Sequence, residues 1–226
     1  MADGMQIRPY VESDADAIAD LMNAVDAKHG AEAGWTGGEM RSFIKAWVRD
    51  PATDSRLVVT PDGELAAAGI VSPPPEGGQR ADMLGGVHPA YQGRGLGREM
   101  LAWQYDRARQ LHSDIAPSDQ WHVEAGASVD DTAAIRLFQR LEFGPVRYFF
   151  EMIAALDGQQ DEMALPDRLV AVPYTPELAK PLHEAHMEAF SDHWGFQRRP
   201  FEKWVIGTVE SEEFRPDLTR IAFDGD

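Results

Sequence analysis

The chain has 226 residues, 43% of them hydrophobic and 26% charged, and a formal charge of −17 from 38 acidic and 21 basic side chains. This is the composition of a soluble globular protein. It excludes a membrane span, for which no apolar run comes near roughly 18 residues, and it argues against a nucleic-acid partner, whose phosphates want a basic face. Cysteine is absent, which removes disulfides, thiolate metal sites and a cysteine nucleophile; with no apolar signal segment at the start, the cytoplasm is expected. Met5–Tyr10 alternates as a short strand. Ser13 or Asp14 can cap a helix whose inner face is Ile18, Leu21, Met22 and Val25. Gly30, Gly34, Gly37 and Gly38 break the chain around Trp35. A second helix carries Phe43, Ile44, Trp47 and Val48 and ends at Asp50-Pro51. Arg56–Thr60 and Leu65–Val71 form a hairpin about Pro61-Asp62-Gly63-Glu64. A strand over Arg80–His88 leads through a glycine-rich turn into a helix from Gly97 to about His112. The strand Trp121–Ala125, a helix with the face Ala134, Leu137, Phe138 and Leu141, and a last strand over Val146–Ala154 complete a mixed α/β domain over residues 1–156.

Residues 157–168 are polar, hold Gly158 and Pro166, and read as a linker. Beyond them the chain repeats itself. Arg8-Pro9-Tyr10 is echoed by Val172-Pro173-Tyr174, Trp35 by Trp194, Phe43–Trp47 by Phe201–Trp204, and Asp62-Gly63-Glu64 by Asp224-Gly225-Asp226. Residues 169–226 are therefore expected to be the first third of a second copy, stopping at the tip of its first hairpin. So small a segment makes a marginal core alone and is expected to pack on residues 1–156 or on a second chain, so a homodimer is compatible with the sequence.

Chemistry concentrates in Val87-His88-Pro89-Ala90-Tyr91-Gln92-Gly93-Arg94-Gly95-Leu96-Gly97-Arg98. Three glycines on alternate positions, entering a helix, let successive N–H groups converge on a phosphate or pyrophosphate, and Arg94 and Arg98 add charge. A nucleotide-binding P-loop would need Gly-Lys-Ser/Thr and a dinucleotide fingerprint would need G-x-G-x-x-G; neither is present. His183-Glu184-Ala185-His186 has the wrong spacing for a zinc H-E-x-x-H site and reads as a surface helix, and no metal is expected.

The spacing Gln92-x-x-Gly95-x-Gly97 after Val87-His88-Pro89 resembles the acetyl-CoA loop of the GCN5-related N-acetyltransferases, the GNAT superfamily, and the resemblance extends in element order over residues 5–155. It implies the GNAT fold, a mixed central sheet flanked by helices, with the N-terminal parts of both segments looking like two beginnings of that fold. It implies that backbone N–H groups of Gly93, Arg94, Gly95, Leu96, Gly97 and Arg98 hold the pyrophosphate of acetyl-CoA, and that the strand at Gly86 and Val87 pairs with pantetheine. The second block of the family matches at Ala134, Leu137 and Phe143. Asp131 stands where asparagine is usual, and Phe138 where many members carry a tyrosine that protonates the departing thiolate; phenylalanine has no proton to give. Acetyl transfer to an amine also requires a proton acceptor, for which Glu124 is the first candidate and Asp82 the second. Trp35, on the connector that covers the acceptor in the family, is a candidate for substrate contact. The implied activity is acetyl transfer from acetyl-CoA to a small-molecule or peptide amine in a ternary complex. The rival is a catalytically degenerate acyl-CoA-binding module, consistent with Phe138 and Asp131.

Overall fold

The hairpin read between residues 56 and 71 lies at the centre of the observed sheet. The computed structural model describes residues 4–30, 34–150, 152–155, 158 and 164–224. Five strands, β1 (Gln6–Arg8), β2 (Ser55–Val59), β3 (Leu65–Ser72), β4 (Arg80–Val87) and β5 (His122–Ala125), pair in chain order. The first three pairings are antiparallel; β4 and β5 are parallel. β3 is the most buried strand, and it is built from alanines, Gly69, Ile70 and Val71, small enough for helices to approach both faces.

On one face lie α1 (Ala15–Lys28) and α2 (Gly37–Trp47). Their Ile18, Leu21, Met22, Met40 and Ile44 bury against Leu57, Ala68 and Ile70. On the other face α4 (Leu96–Ile115) packs Met100, Leu101, Ala108 and Leu111 against Val58, Ala67, Val71 and Met83, and α5 (Thr132–Arg140) adds Leu137 and Phe138. The short α3 (Pro51–Asp54) ends in the fully buried Asp54, whose carboxylate accepts from Arg107 Nε of α4 at 2.7 Å and from the Asp50 N–H at 2.9 Å.

Two local expectations are corrected. Gly37 and Gly38 do not break the chain but open α2, because Thr36-Gly37-Gly38-Glu39 is a capping box: Thr36 Oγ1 accepts from the Glu39 N–H at 3.1 Å, and Glu39 Oε2 accepts from the Thr36 N–H at 2.9 Å. Val146–Ala154 forms no strand among its described residues. Val146, Phe149, Phe150, Met152 and Ile153 are all more than 70% exposed, and an extended segment with no neighbour to take its hydrogen bonds is not held as a strand. The His183/His186 helix is a surface helix that turns one face inward. It is α6 (Ala179–Ala189); His183 is buried, and its Nε2–H donates to the Arg199 carbonyl at 2.8 Å.

Residues 169–224 run β6 (Leu169–Pro173), a 3₁₀ turn, α6, α7 (Phe201–Gly207) and β7 (Arg220–Asp224), with β6 and β7 paired antiparallel in a sheet of their own. This segment docks on the first. α7 lies on α2, so close that a Cβ on Gly207 would sit 2.8 Å from the Trp47 ring. Arg41 pairs with Glu212 at 3.1 Å, Thr36 Oγ1 donates to Glu213 at 2.7 Å, and the Arg199 guanidinium lies 3.9 Å over the Trp47 ring. Gln197 grips the start of β4: its Oε1 accepts from the Gln79 and Arg80 N–H groups at 2.9 and 2.8 Å, and its Nε2 donates to the Arg80 carbonyl at 3.1 Å.

Candidate active site

β4 and β5 stay in register from Arg80↔His122 to Met83↔Ala125 and then part. The opening is a groove of about 740 Å³, lined by Met83, Gly85, Gly86 and Val87 on one side and by Ala125, Gly126, Ser128 and α5 on the other. At the fork, Gln104 of α4 bridges two carbonyls, donating to Leu84 at 2.8 Å and to Ile70 at 3.1 Å. Gly85 is required by its neighbour strand: at φ +153, a Cβ would lie 2.2 Å from the Ala68 carbonyl oxygen.

At the end of the groove β4 gives way to a 3₁₀ turn over Pro89–Tyr91 and then to the glycine-rich turn. Gly93 and Gly95 have φ of +77 and +90, the left-handed conformation that glycine adopts without cost, and Gly95 is the N-cap of α4. A helix leaves its first N–H groups without intrahelical acceptors, so Leu96, Gly97 and Arg98 present donors at the positive end of a twenty-residue helix. Gln92, Gly93, Arg94, Gly95, Gly97 and Arg98 all line the groove. The Leu96 side chain does not: it is buried under the sheet with Val58 and Ala66, leaving only its backbone to the turn. Gln92 Nε2 donates to the Val87 carbonyl at 3.1 Å, and its Oε1 accepts from Lys28.

Asp131 is the N-cap of α5, accepting from the Ala133 and Ala134 N–H groups at 3.1 and 2.9 Å, so a carboxylate performs the capping that asparagine would. It also lies 3.3 Å from His29 Nε2, with both side chains mostly buried. Phe138 lines the groove and stacks at a tilt on Phe143, with centroids 5.9 Å apart. His29, Met22 and Gln104, which sequence reasoning missed, line it too. His29 could have been found: it continues the face Ile18, Leu21, Met22, Val25 by one more turn.

Asp82 and Glu124 face each other in register one residue before the fork, on the sheet face opposite Ala81 and Met83. Arg80 Nε lies 3.1 Å from Asp82 Oδ1 and 3.8 Å from Glu124 Oε2, and His122 Nε2 lies 3.2 Å from Glu124 Oε1. Burial raises the Asp82 carboxyl above its ordinary pKa of 3.8. Arg80 and Arg199 pull it down and Glu124 pushes it further up, but burial is the largest influence. Trp35 is not among the residues that line the groove. It packs edge-on against Phe43 at 6.5 Å and is pinned by Asn23, which accepts from its N–H at 3.0 Å and donates to its carbonyl at 2.8 Å. Among the described residues no cluster of three or more His, Asp or Glu could hold a metal, and no helix is long and apolar enough to cross a membrane.

A sheet that opens between two parallel strands beside a glycine turn at a helix N-terminus offers an elongated groove with backbone donors at one end. Residues 20–143 match the acetyltransferase (GNAT) family, and the chain belongs to that family. A GCN5-related N-acetyltransferase from Sphaerobacter thermophilus is similar over the whole of this chain and 69% of its own, at 26% identity and a TM-score of 0.71. A candidate acetyltransferase from Pyrococcus horikoshii aligns over 84% of this chain and 58% of its own, at 17% identity and a TM-score of 0.50. One from Salmonella typhimurium, solved with its cofactor acetyl-CoA, aligns over 73% and 99%, at 23% identity and a TM-score of 0.47. No curated protein matches the sequence significantly.

Proposed function

We propose that this chain transfers an acetyl group from acetyl-CoA to a primary amine in a ternary complex. The observation that carries this reading is the continuity of one groove, from the glycine turn at the N-terminus of α4 to the fork of β4 and β5, with two carboxylates on the paired strands one residue before the fork. The N–H groups from Gly93 to Arg98 receive the pyrophosphate, and Arg94 and Arg98 neutralise part of its charge. Gly86 and Val87, left without a partner from β5, hydrogen-bond the pantetheine arm. When bound, acetyl-CoA supplies the activated acyl carbon: the amine nitrogen bonds to it as its bond to sulfur breaks.

Most of the catalysis is then positioning plus removal of one proton from the amine. Asp82 suits that task, because burial raises its proton affinity while about half of its side-chain surface stays open to an incoming amine. Arg80 holds Asp82 and Glu124 apart in fixed positions, and Glu124 is the alternative acceptor. Phe138 gives no proton to the departing thiolate, so that proton comes from water or from the amine through the carboxylate pair. The same absence favours the second reading, an acyl-CoA-binding module without turnover. Titration of the full chain with acetyl-CoA, run beside a CoA-release assay over a panel of amines, separates the two. Binding with release supports transfer, binding without release supports the module, and no binding refutes both. The linker and the partial second copy of the fold over residues 169–226 belong to the same proposal, supported by the order strand, 3₁₀ turn, two helices, strand in the second segment, which the first matches apart from its additional short α3.

A further inference from the structure

A second cavity, of about 250 Å³, lies where the loop after α6 meets the start of β4. Resting on the acetyl-transfer reading above, we propose that this cavity seats the acceptor, and that the acceptor is a small amine bearing both a planar apolar group and a carboxylate, with the chemistry of an aromatic amino acid.

The lining argues for it. Phe190, Trp194 and Trp204 supply aromatic surface; Arg80, Arg199 and His186 supply donors; among the described residues no aspartate or glutamate lines the cavity. The chain as a whole, at −17, would draw in a polycation. This cavity is built with the opposite sign. Its arginines are already placed: Arg199 is stacked 3.9 Å over Trp47, and Arg80 Nη1 donates to the Gly195 carbonyl at 3.2 Å. Planar guanidinium groups bind a carboxylate through paired N–H donors. His186 adds a neutral donor. Trp204 Nε1 donates to its Nδ1 at 3.1 Å, so that nitrogen carries the lone pair and the proton resides on Nε2. Trp194 forms an outer wall, with Arg147 stacked 4.9 Å over it and Phe149 edge-on at 6.5 Å.

Position argues for it as well. Arg80 borders the cavity with one end of its guanidinium and reaches Asp82 with its Nε at 3.1 Å. Arg199 also acts on both, lining the cavity and lowering the Asp82 pKa through its charge. A carboxylate anchored on these arginines brings an α-amine, two bonds away, to the carboxylate that takes its proton. The second segment thereby supplies the specificity wall and the first supplies the base and the acyl groove. A volume of this size takes one small molecule and not a folded peptide.

The test uses the full chain. Initial rates of CoA release at saturating acetyl-CoA are measured with phenylalanine, tryptophan, phenethylamine, tryptamine and spermidine, beside calorimetric titrations of acetyl-CoA and of the two amino acids. Expected is a kcat/KM for an aromatic amino acid at least about tenfold above that for its decarboxylated amine. Trp194→Ala should raise KM for both compounds and Arg199→Met for the amino acid alone, each with acetyl-CoA affinity intact; because the Arg199 charge lowers the Asp82 pKa, Arg199→Met should also move the acid limb of the rate to higher pH, which Trp194→Ala should not. Faster transfer to tryptamine or spermidine, or a KM unmoved by both variants, overturns the proposal. If acetyl-CoA binds but no amine is acetylated, the calorimetry decides: amino-acid binding lost in Trp194→Ala upholds the cavity as their site, and no binding refutes it. Failure of acetyl-CoA itself to bind removes the acetyl-transfer reading, and the same amino-acid titrations then decide whether the cavity is their site.

Discussion

Gly95 sits where backbone geometry and ligand chemistry coincide. Its φ of +90 is strained for any residue with a Cβ, and branched carbons there would project beside Arg98 at the mouth of the anion site. Gly95→Val should therefore abolish acetyl-CoA binding in calorimetry while leaving the far-ultraviolet circular dichroism of the wild type; near-normal affinity would disprove the assignment of the turn. Asp82→Asn should lower kcat by about 10²–10⁴ with acetyl-CoA affinity intact. Because the Asp82 carboxyl must be ionised to accept a proton and burial raises its pKa, the rate should climb with pH through a limb above the ordinary value of 3.8, and that limb should vanish in the variant. If Glu124→Gln carries the whole loss instead, the base is Glu124. Phe138→Tyr places a phenol in the groove on an unchanged ring, so kcat should rise if protonation of the thiolate limits turnover. An unchanged kcat in a briskly active enzyme shows that water already serves.

Elements were legible where one strong local rule governed them. The β2–β3 hairpin followed from a turn sequence between apolar runs, and α1, α4 and α5 from helical spacing, because burial on one face imposes a period that composition alone reveals. The glycine turn was legible for the same reason, since its conformation demands particular residues in a short window. What failed depended on distant partners. The apolar run over Val146–Ala154 has strand character but no neighbour, and the first turn of α2 hides behind two glycines that tolerate close approach, a Cβ on Gly38 falling 2.6 Å from Glu212. The salt bridge joining α3 to α4 was also invisible in sequence, since Asp54 and Arg107 meet only through the fold. It is an element-scale lock. Arg107→Met would leave the Asp54 carboxylate fully buried with its cation gone, and should cost about 3 kcal/mol in a denaturation experiment. A loss below about 1 kcal/mol would show that the Asp50 N–H and the Thr53 hydroxyl satisfy that carboxylate without the arginine.

At the scale of the whole molecule, the two segments meet mainly through α2 and α7, the helices that carry the echoed Phe43–Trp47 and Phe201–Trp204 stretches. The contact is part apolar, with Trp47 against Gly207, and part ionic, with Arg41 against Glu212, so it combines packing with orientation. None of this could be read from the sequence beyond the need for some partner, because the partner face is set by three-dimensional shape. The Gln197 grip on β4 has a consequence of its own. The N–H groups of Gln79 and Arg80 take their acceptor from a side chain more than a hundred residues away, so solvent deuterium can replace those two hydrogens only when the loop lifts. Both sites should exchange together, at a rate set by undocking of the second segment, and Gln197→Ala should release them to solvent while Val58 and Ala67 in the sheet interior keep their hydrogens. The start of β4 thus carries a two-hydrogen clock for how often the halves of the molecule part.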